Sequence, residues 1–544
     1  MNTRQLQTDK NQKLYHALLG ILLVCALAMM MLLSYWACKY SYYGAVDGRT
    51  RGVLVGDKTW AHIAVFLAAS LCTMGIDKVL MKKDKSQQEK ICLCTLIVTS
   101  VIAFILGVFY VCKNPYYPVG DQINTTAFAA YCRDGNFNML SIGGYVGMYQ
   151  QQKGLAILYE ILFTLFGDFN YRPAKILHVV WWILTILAGY GFLKLNTDRP
   201  VFRMLYCVMM LGCFPLLFYL PYIYGDVLSI SFGIILFYGV AAYEHSGQKR
   251  YIALASFAAG LAVLARKNTW IVLVAVTVYV LLVSLRKKKV RYLMAGTAIL
   301  LTAALSVKAV DVIYEVRSGY PSGVGIPSIL WVAMGLQETE GRAGVYNRYQ
   351  QATFTDYDCQ QELAAQQGKE YIRERLEEFS QDPGMAFNFF KNKVEGQWIE
   401  PMYAALESTE SFEEGAELSP VLESLYYGEL GRTIWKLTNY YQSILYLAGL
   451  MALVMLGILW WKKKEVPISL WLPWIAVFGG FLFSILWEAK SRYVFPYCVF
   501  MILYAPEGLY QTGLLLCKLP KLRKFKKSGH TQDKGEEASL RETA

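Results

Sequence analysis

The sequence predicts an all-α polytopic membrane protein. Three observations carry that class: 55% of the 544 residues are apolar, those residues fall into long charge-poor blocks, and Lys and Arg cluster between every second pair of blocks. A bilayer core is crossed by about 20 helical residues, and a helix satisfies its own backbone hydrogen bonds where no water can.

The first block, Leu14 to Trp36, is too long for a signal-peptide core and lacks a small-residue cleavage site, so it reads as a retained span. Further spans are expected at Trp60 to Leu80, Ile91 to Val111, Ile176 to Leu193, Met204 to Leu220, Val227 to Tyr243, Tyr251 to Leu264, Trp270 to Leu285, Tyr292 to Val307, Tyr441 to Trp461, Val466 to Trp487 and Tyr493 to Tyr510, which makes about twelve. Cations orient them, because basic loops are retained in the cytoplasm. The N-terminal tail to Lys13, Met81 to Lys85, the loop with Lys194, Arg199 and Arg203, Gln248 to Arg250, Arg286 to Lys289, Lys462 to Lys464 and the tail from Lys518 to Lys527 all fall on one side. Both termini are then cytoplasmic.

Leu155 to Phe166 is a dozen residues, about 18 Å of helix, and falls short of a core of about 30 Å. Counted as a crossing, it would also place Arg199 and Arg203 outside. It therefore reads as an interfacial helix in a first large external loop, Cys112 to roughly Lys175. The second soluble piece, Asp311 to Leu437, carries 10 Lys and Arg against 21 Asp and Glu, a net charge of −11 in a chain of +12. An acidic external domain is expected there, mainly helical, with helices over Gln361 to Phe379 and from Pro383 to Val394.

Most of the twelve cysteines lie in spans as small apolar residues. A Cys132–Cys359 bridge is compatible with this placement, although nothing in the spacing demands it. The sequon Asn124-Thr125-Thr126 matters only in a secretory-pathway host. No Cys/His cluster has metal-ligand spacing, and no phosphate-binding Gly-rich loop, Ser/His/Asp set or nucleic-acid module is present, so no nucleic-acid partner is expected.

The remaining signal is a set of charges at the external boundary. Asp121 lies in Tyr117-Pro118-Val119-Gly120-Asp121-Gln122, and Asp226 closes Tyr222-Ile223-Tyr224-Gly225-Asp226. Arg266-Lys267-Asn268 and Glu488-Ala489-Lys490-Ser491-Arg492-Tyr493 occupy later external turns, and Lys153 precedes the interfacial helix. A charge where a span meets water is costly without a partner and marks a candidate site. The plainer reading, that such residues end helices or anchor them by snorkelling, holds with most force for Lys267 and Lys490. Sugar transfer from a lipid phosphate requires a base for the acceptor hydroxyl and cations for the departing phosphate. Asp121 and Asp226 suit the catalytic role, with a divalent cation (Mg or Mn) expected between the two carboxylates, while Lys153, Arg266, Lys267 and Arg492 suit the phosphate.

In this order of features the chain resembles the GT-C superfamily of membrane glycosyltransferases, of the protein O-mannosyltransferase and aminoarabinose-transferase type. Gly120-Asp121 looks like its first-loop acid motif, Gly225-Asp226 like its second acid, Gln152-Lys153-Gly154 like the entry to its interfacial helix, and Ser491-Arg492-Tyr493 through Pro496 like its late Arg-Tyr element. The resemblance spans about Ile91 to Tyr510. It implies a polyprenyl-phosphate-linked sugar donor, inversion at the anomeric carbon, an envelope glycan, lipid or protein acceptor, and a bacterial plasma membrane. Three departures stand out. Gln122 replaces the Glu of the mannosyltransferases' Asp-Glu pair, which weakens a metal role; a hairpin, Leu14 to Leu80, precedes the usual first span; and the acidic insert has no match beyond the local motifs Trp331 to Leu336 and Gln397 to Pro401. Two other classes stay open on sequence alone. A transporter or flippase would place its polar residues at the midplane, with interrupted helices and a repeat between halves, and an inactive scaffold would tolerate loss of Asp121.

The topology is directly testable. Reporters fused at Gly167 to Asn170 should read as external, and reporters at Lys288 or after Lys527 as cytoplasmic; a cytoplasmic signal at the first position would move Asp226 to the other face.

Overall fold

The computed structural model describes residues 3–44, 52–322, 325–464 and 466–518, with side chains from residue 12 onward. Among these residues nine helices are long and apolar enough to cross a membrane: Gln12–Lys39, Thr59–Leu80, Lys85–Lys113, Arg172–Asn196, Asp226–Ser246, Lys267–Lys287, Arg291–Ser318, Glu429–Trp461 and Ile468–Leu486. The protein is an integral, multi-pass, helical membrane protein. Outward faces of these helices expose large apolar side chains such as Phe104, Ile105 and Phe109, as lipid contact requires.

The other three expected spans are helical, but shorter or broken. Lys249–Ala265 has 17 residues. Met204 to Leu220 divides into Pro200–Leu211 and Phe214–Phe218, where Gly212 and Pro215 interrupt the ladder; Pro has no N–H to continue it. Tyr493 to Tyr510 divides into Ser491–Met501 and a helix over 505–518, with Pro506 at the restart. The N-terminal helix begins at Thr3, within the segment expected to be a tail, and the basic tail beyond Lys518 lies outside the described residues.

The N-terminal hairpin is tied into the bundle. A two-stranded ribbon, Tyr40–Tyr43 against Val53–Gly56, joins its helices. Asn439 donates to both carboxylate oxygens of Asp57 at 3.1 Å, and His62 Nδ1 lies 2.7 Å from Ser443 Oγ. Both Asn439 and Ser443 are on the Glu429–Trp461 helix, which also packs along the N-terminal helix.

The segment expected to be interfacial is the helix Lys153–Phe166, 14 residues and too short to span. It packs on Asp121–Arg133. The acidic segment is shorter than its expected limits, because Arg291–Ser318 continues past Asp311 and Glu429–Trp461 begins before Leu437. Between them stand Ile329–Gly335, Tyr349–Asp356, Gln361–Gln381 and Pro383–Trp398, with strands of only two residues each, Glu338–Thr339 and Arg342–Ala343.

Backbone bonds fasten this segment over one end of the bundle. Ala489 N donates to Gly344 O at 2.7 Å, and Ile326 N donates to Met148 O at 3.0 Å. Beneath it the Gln397 to Pro401 motif is a buried joint. Gln397 Nε2 and Trp398 Nε1 donate to the backbone O and Oγ of Ser484, at 3.1 and 3.0 Å. The Glu400 carboxylate accepts from the amides of Met402 and Ala404 at 2.8 and 2.6 Å. Cys132 and Cys359 are both free thiols.

One contact fixes the register of two helix ends. A Cβ on Gly225 would stand 2.0 Å from Ala265 O and 2.9 Å from Arg266 Cγ, so only glycine lets this turn approach the Lys249–Ala265 helix. Gly225→Ala should therefore cost about 1–3 kcal/mol or more by overpacking, read as a lower melting temperature and reduced monodisperse yield in detergent, whereas Gly135→Ala, in open space at positive φ, should cost less.

Candidate functional site

Two acids open helices directly after a glycine. Gly120 takes φ +60° and ψ −127°, a conformation open essentially to glycine, and Asp121 then begins Asp121–Arg133. Gly225 precedes Asp226, the first residue of Asp226–Ser246. A carboxylate in the first helical turn is favoured by the unpaired amides and the helix dipole.

Arg266 and Lys267 fill the link from Lys249–Ala265 to Trp270–Lys287, while Glu488 to Lys490 fill the link from Leu472–Leu486 to Ser491–Met501. Each link joins helix ends that the chain brings to one end of the bundle. The opposite ends of Lys249–Ala265, Trp270–Lys287 and Leu472–Leu486 lie at the basic loops Gln248 to Arg250, Arg286 to Lys289 and Lys462 to Lys464.

These turns border a cavity of about 800 Å³ under the acidic segment. Its floor holds Asp121, Tyr224, Arg266, Lys267, Lys490 and Tyr493, and its opposite wall comes from Ile326 to Gln351 and Trp487. Asp121 is exposed to the cavity, and the Tyr145 hydroxyl donates to its Oδ1 at 2.9 Å. Burial, then the charge of Asp121, push the Tyr145 phenol up, so it stays a donor. Gln122, beside Asp121, is buried and accepts the Tyr116 hydroxyl at 2.6 Å. It pins the turn and takes no part in the cavity.

Asp226 lies behind the floor, 2% exposed. Arg266 Nη1 is 3.3 Å from its Oδ2 and Arg492 Nε is 4.0 Å from its Oδ1. Both guanidiniums sit among aromatic rings: Arg266 lies 5.0 Å from Tyr224 and 5.4 Å from Tyr493, and Arg492 lies 5.2 Å from Tyr222 and 5.4 Å from Tyr224. Stacked guanidiniums keep their charge at low hydration cost. Of this trio only Arg266 reaches the cavity.

Of the six residues singled out in the sequence, the cavity thus gathers Asp121, Arg266 and Lys267. Asp226 and Arg492 stand behind them. Lys153 points elsewhere: it is buried, ion-paired with Asp311 and donating to Ser322 Oγ at 2.9 Å, so its charge is spent inside the protein. The expected divalent site on Asp121 and Asp226 does not fit this arrangement. Both Asp226 oxygens face guanidiniums, and among the described residues no group of three or more His, Cys, Asp or Glu could hold a metal ion.

Charge arguments named Lys490 and Glu488 only as boundary charges, and most of the aromatic and amide lining gave no such signal. Lys490 pairs with Glu488 at 3.1 Å and lies 5.5 Å from the Tyr346 ring. Trp331 and Trp487 stack in parallel, 5.9 Å apart and 5° from coplanar. Near them buried Lys393 donates to Gly335 O, and its burial pushes it down to about 7, opposed by Glu488. The Trp331 motif hinted at this wall; Tyr145 and Gln350 gave no signal. Compared with known proteins, the chain matches no family model, and no curated protein or solved structure is significantly similar to it.

The trio makes a test of its own. Asp226→Asn strands two buried guanidiniums, which should cost about 3–5 kcal/mol, seen as reduced thermal stability; adding Arg492→Leu should restore part of that loss, whereas independent sites would give additive losses.

Proposed function

We propose that the protein is a membrane glycosyltransferase of GT-C type, moving a sugar from a polyprenyl-phosphate-linked donor to a cell-envelope glycan, lipid or protein on the outer face. One observation carries the reading: an exposed carboxylate, Asp121, borders the same cavity as Arg266, Lys267 and Lys490, at the end of the helices opposite their basic loops.

In this reading Asp121 is the general base. Its carboxylate takes the proton of the acceptor hydroxyl, while Tyr145 holds it by a hydrogen bond at 2.9 Å. The acceptor oxygen forms a bond to the anomeric carbon from the face opposite the leaving group. The bond from that carbon to the phosphate oxygen breaks, and the lipid phosphate leaves with the electron pair and inversion of configuration. Arg266 meets the growing phosphate charge with a planar two-point donor, and Lys267 and Lys490 add point charges. Lys267 forms no ion pair with any described residue, while Lys490 shares its charge with Glu488. Asp226 and Arg492 then act through Arg266 as positioning residues. No step needs a divalent ion, because phosphate charge is met by side chains.

A transporter is the weaker reading, because the cavity's charged groups come from helix ends and the links between them, away from mid-span positions.

Asp121→Asn removes the base and keeps the size, so turnover should fall by on the order of 100-fold, with unchanged membrane abundance and melting temperature. Release of polyprenyl phosphate from a lipid-linked sugar in reconstituted membranes measures it; near-normal transfer would remove Asp121 as the base, and absence of transfer by the unsubstituted chain would support the scaffold reading instead.

A further inference from the structure

We propose that the cavity wall formed by Trp331, Tyr346, Asn347, Gln350, Gln351 and Trp487 binds a neutral oligosaccharide, which on the glycosyl-transfer reading is the acceptor. This inference rests on that reading for the word acceptor alone; the binding site stands on its own geometry.

Charge is the first argument. The segment from Asp311 to Leu437 carries 21 Asp and Glu, yet every residue it lends to the cavity is aromatic, aliphatic, hydroxyl, carboxamide or Arg348, and none is an acid. The cavity's acids, Asp121 and Glu488, come from other segments, as do Arg266, Lys267 and Lys490. A basic peptide thus has no counter-charge on this wall.

Shape and hydrogen bonding supply the second argument. Trp331 and Trp487 stack on one another, Tyr149 stands edge-on to Trp331 at 6.2 Å, and all three line the cavity, so the aromatic surface they leave toward it can meet the C–H face of a pyranose. Beside them, carboxamides pair a donor with an acceptor on one plane, as sugar hydroxyls do. Gln350 is 1% exposed and its Oε1 has no hydrogen-bond partner. A buried unpaired acceptor is costly, and a sugar hydroxyl would satisfy it. A lipid tail would leave the Gln350 oxygen unpaired, and an extended peptide would want a strand edge, whereas the segment's strands are two residues long and outside the cavity.

Saturation-transfer NMR on the full chain in nanodiscs tests the site, with maltohexaose, mannohexaose, chitohexaose and a Ser/Thr-rich peptide as probes. At least one oligosaccharide should receive saturation and the peptide should not. Trp331→Ala should weaken binding about five- to ten-fold, the size of one lost aromatic contact, and Gln350→Leu should weaken it without disturbing the tryptophan stack. Leu363→Ala, exposed on the same segment, should leave binding unchanged. Saturation of none of the three sugars, saturation of the peptide alone, or sugar binding indifferent to both Trp331→Ala and Gln350→Leu would overturn the proposal. If sugars bind as expected while the unsubstituted chain shows no transfer, the glycosyl-transfer reading falls and the saccharide site stays; transfer that Asp121→Asn abolishes, without sugar binding at this wall, gives the reverse.

Discussion

A buried carboxylate between two guanidiniums organises this protein's working end. Asp226 is almost without solvent, and bare burial of its charge would cost several kcal/mol. Arg266 repays that cost from a helix link and Arg492 from the first turn of Ser491–Met501, and the rings of Tyr222, Tyr224 and Tyr493 pack against the two cations. Three helix ends, distant in sequence, are thereby held at one level. Gly225 lets the first of them come close enough, since any side chain there would meet the carbonyl of Ala265. Arg266 is the member that faces outward, so the same contact that closes the bundle aims a cation into the cavity.

The acidic segment completes what the bundle begins. Backbone bonds from Ala489 to Gly344 and from Ile326 to Met148 hold it over the helix ends. Its joint with the bundle is buried and polar, built on Trp398, Gln397 and Glu400. None of its carboxylates lines the cavity, which leaves the wall mainly to aromatic and carboxamide groups, with Arg348 as its one charge. Cations on the floor and a wall without acids divide one space into two chemical environments, which on the proposed reading suits a charged leaving group and an uncharged acceptor.

The sequence by itself determined the class and much of the layout. Apolar blocks of span length force helices because lipid offers backbone groups no partner, and nine of the twelve expected spans are uninterrupted helices of that length. Length also kept Lys153–Phe166 from being counted as a crossing. Breaks at Gly212 with Pro215 and at Pro506 sit at residues visible in the sequence, but a hydropathy average runs straight through them. Asp121, Arg266 and Lys267 were legible as charges at span ends, where any charge needs a reason.

What charge alone could not tell was where each group points. Lys153, Asp226 and Arg492 look like Arg266 in one dimension, yet Lys153 is consumed by Asp311, and Asp226 and Arg492 lie behind the cavity floor. The aromatic wall was equally hidden, since Trp331 and Trp487 are separated by more than a hundred residues and read as ordinary apolar positions until the fold stacks them. Sequence fixes which groups can be buried, through hydropathy and length. Only tertiary structure decides which charge meets which, because that depends on helix ends brought within a few ångströms by packing, a distance no local pattern encodes.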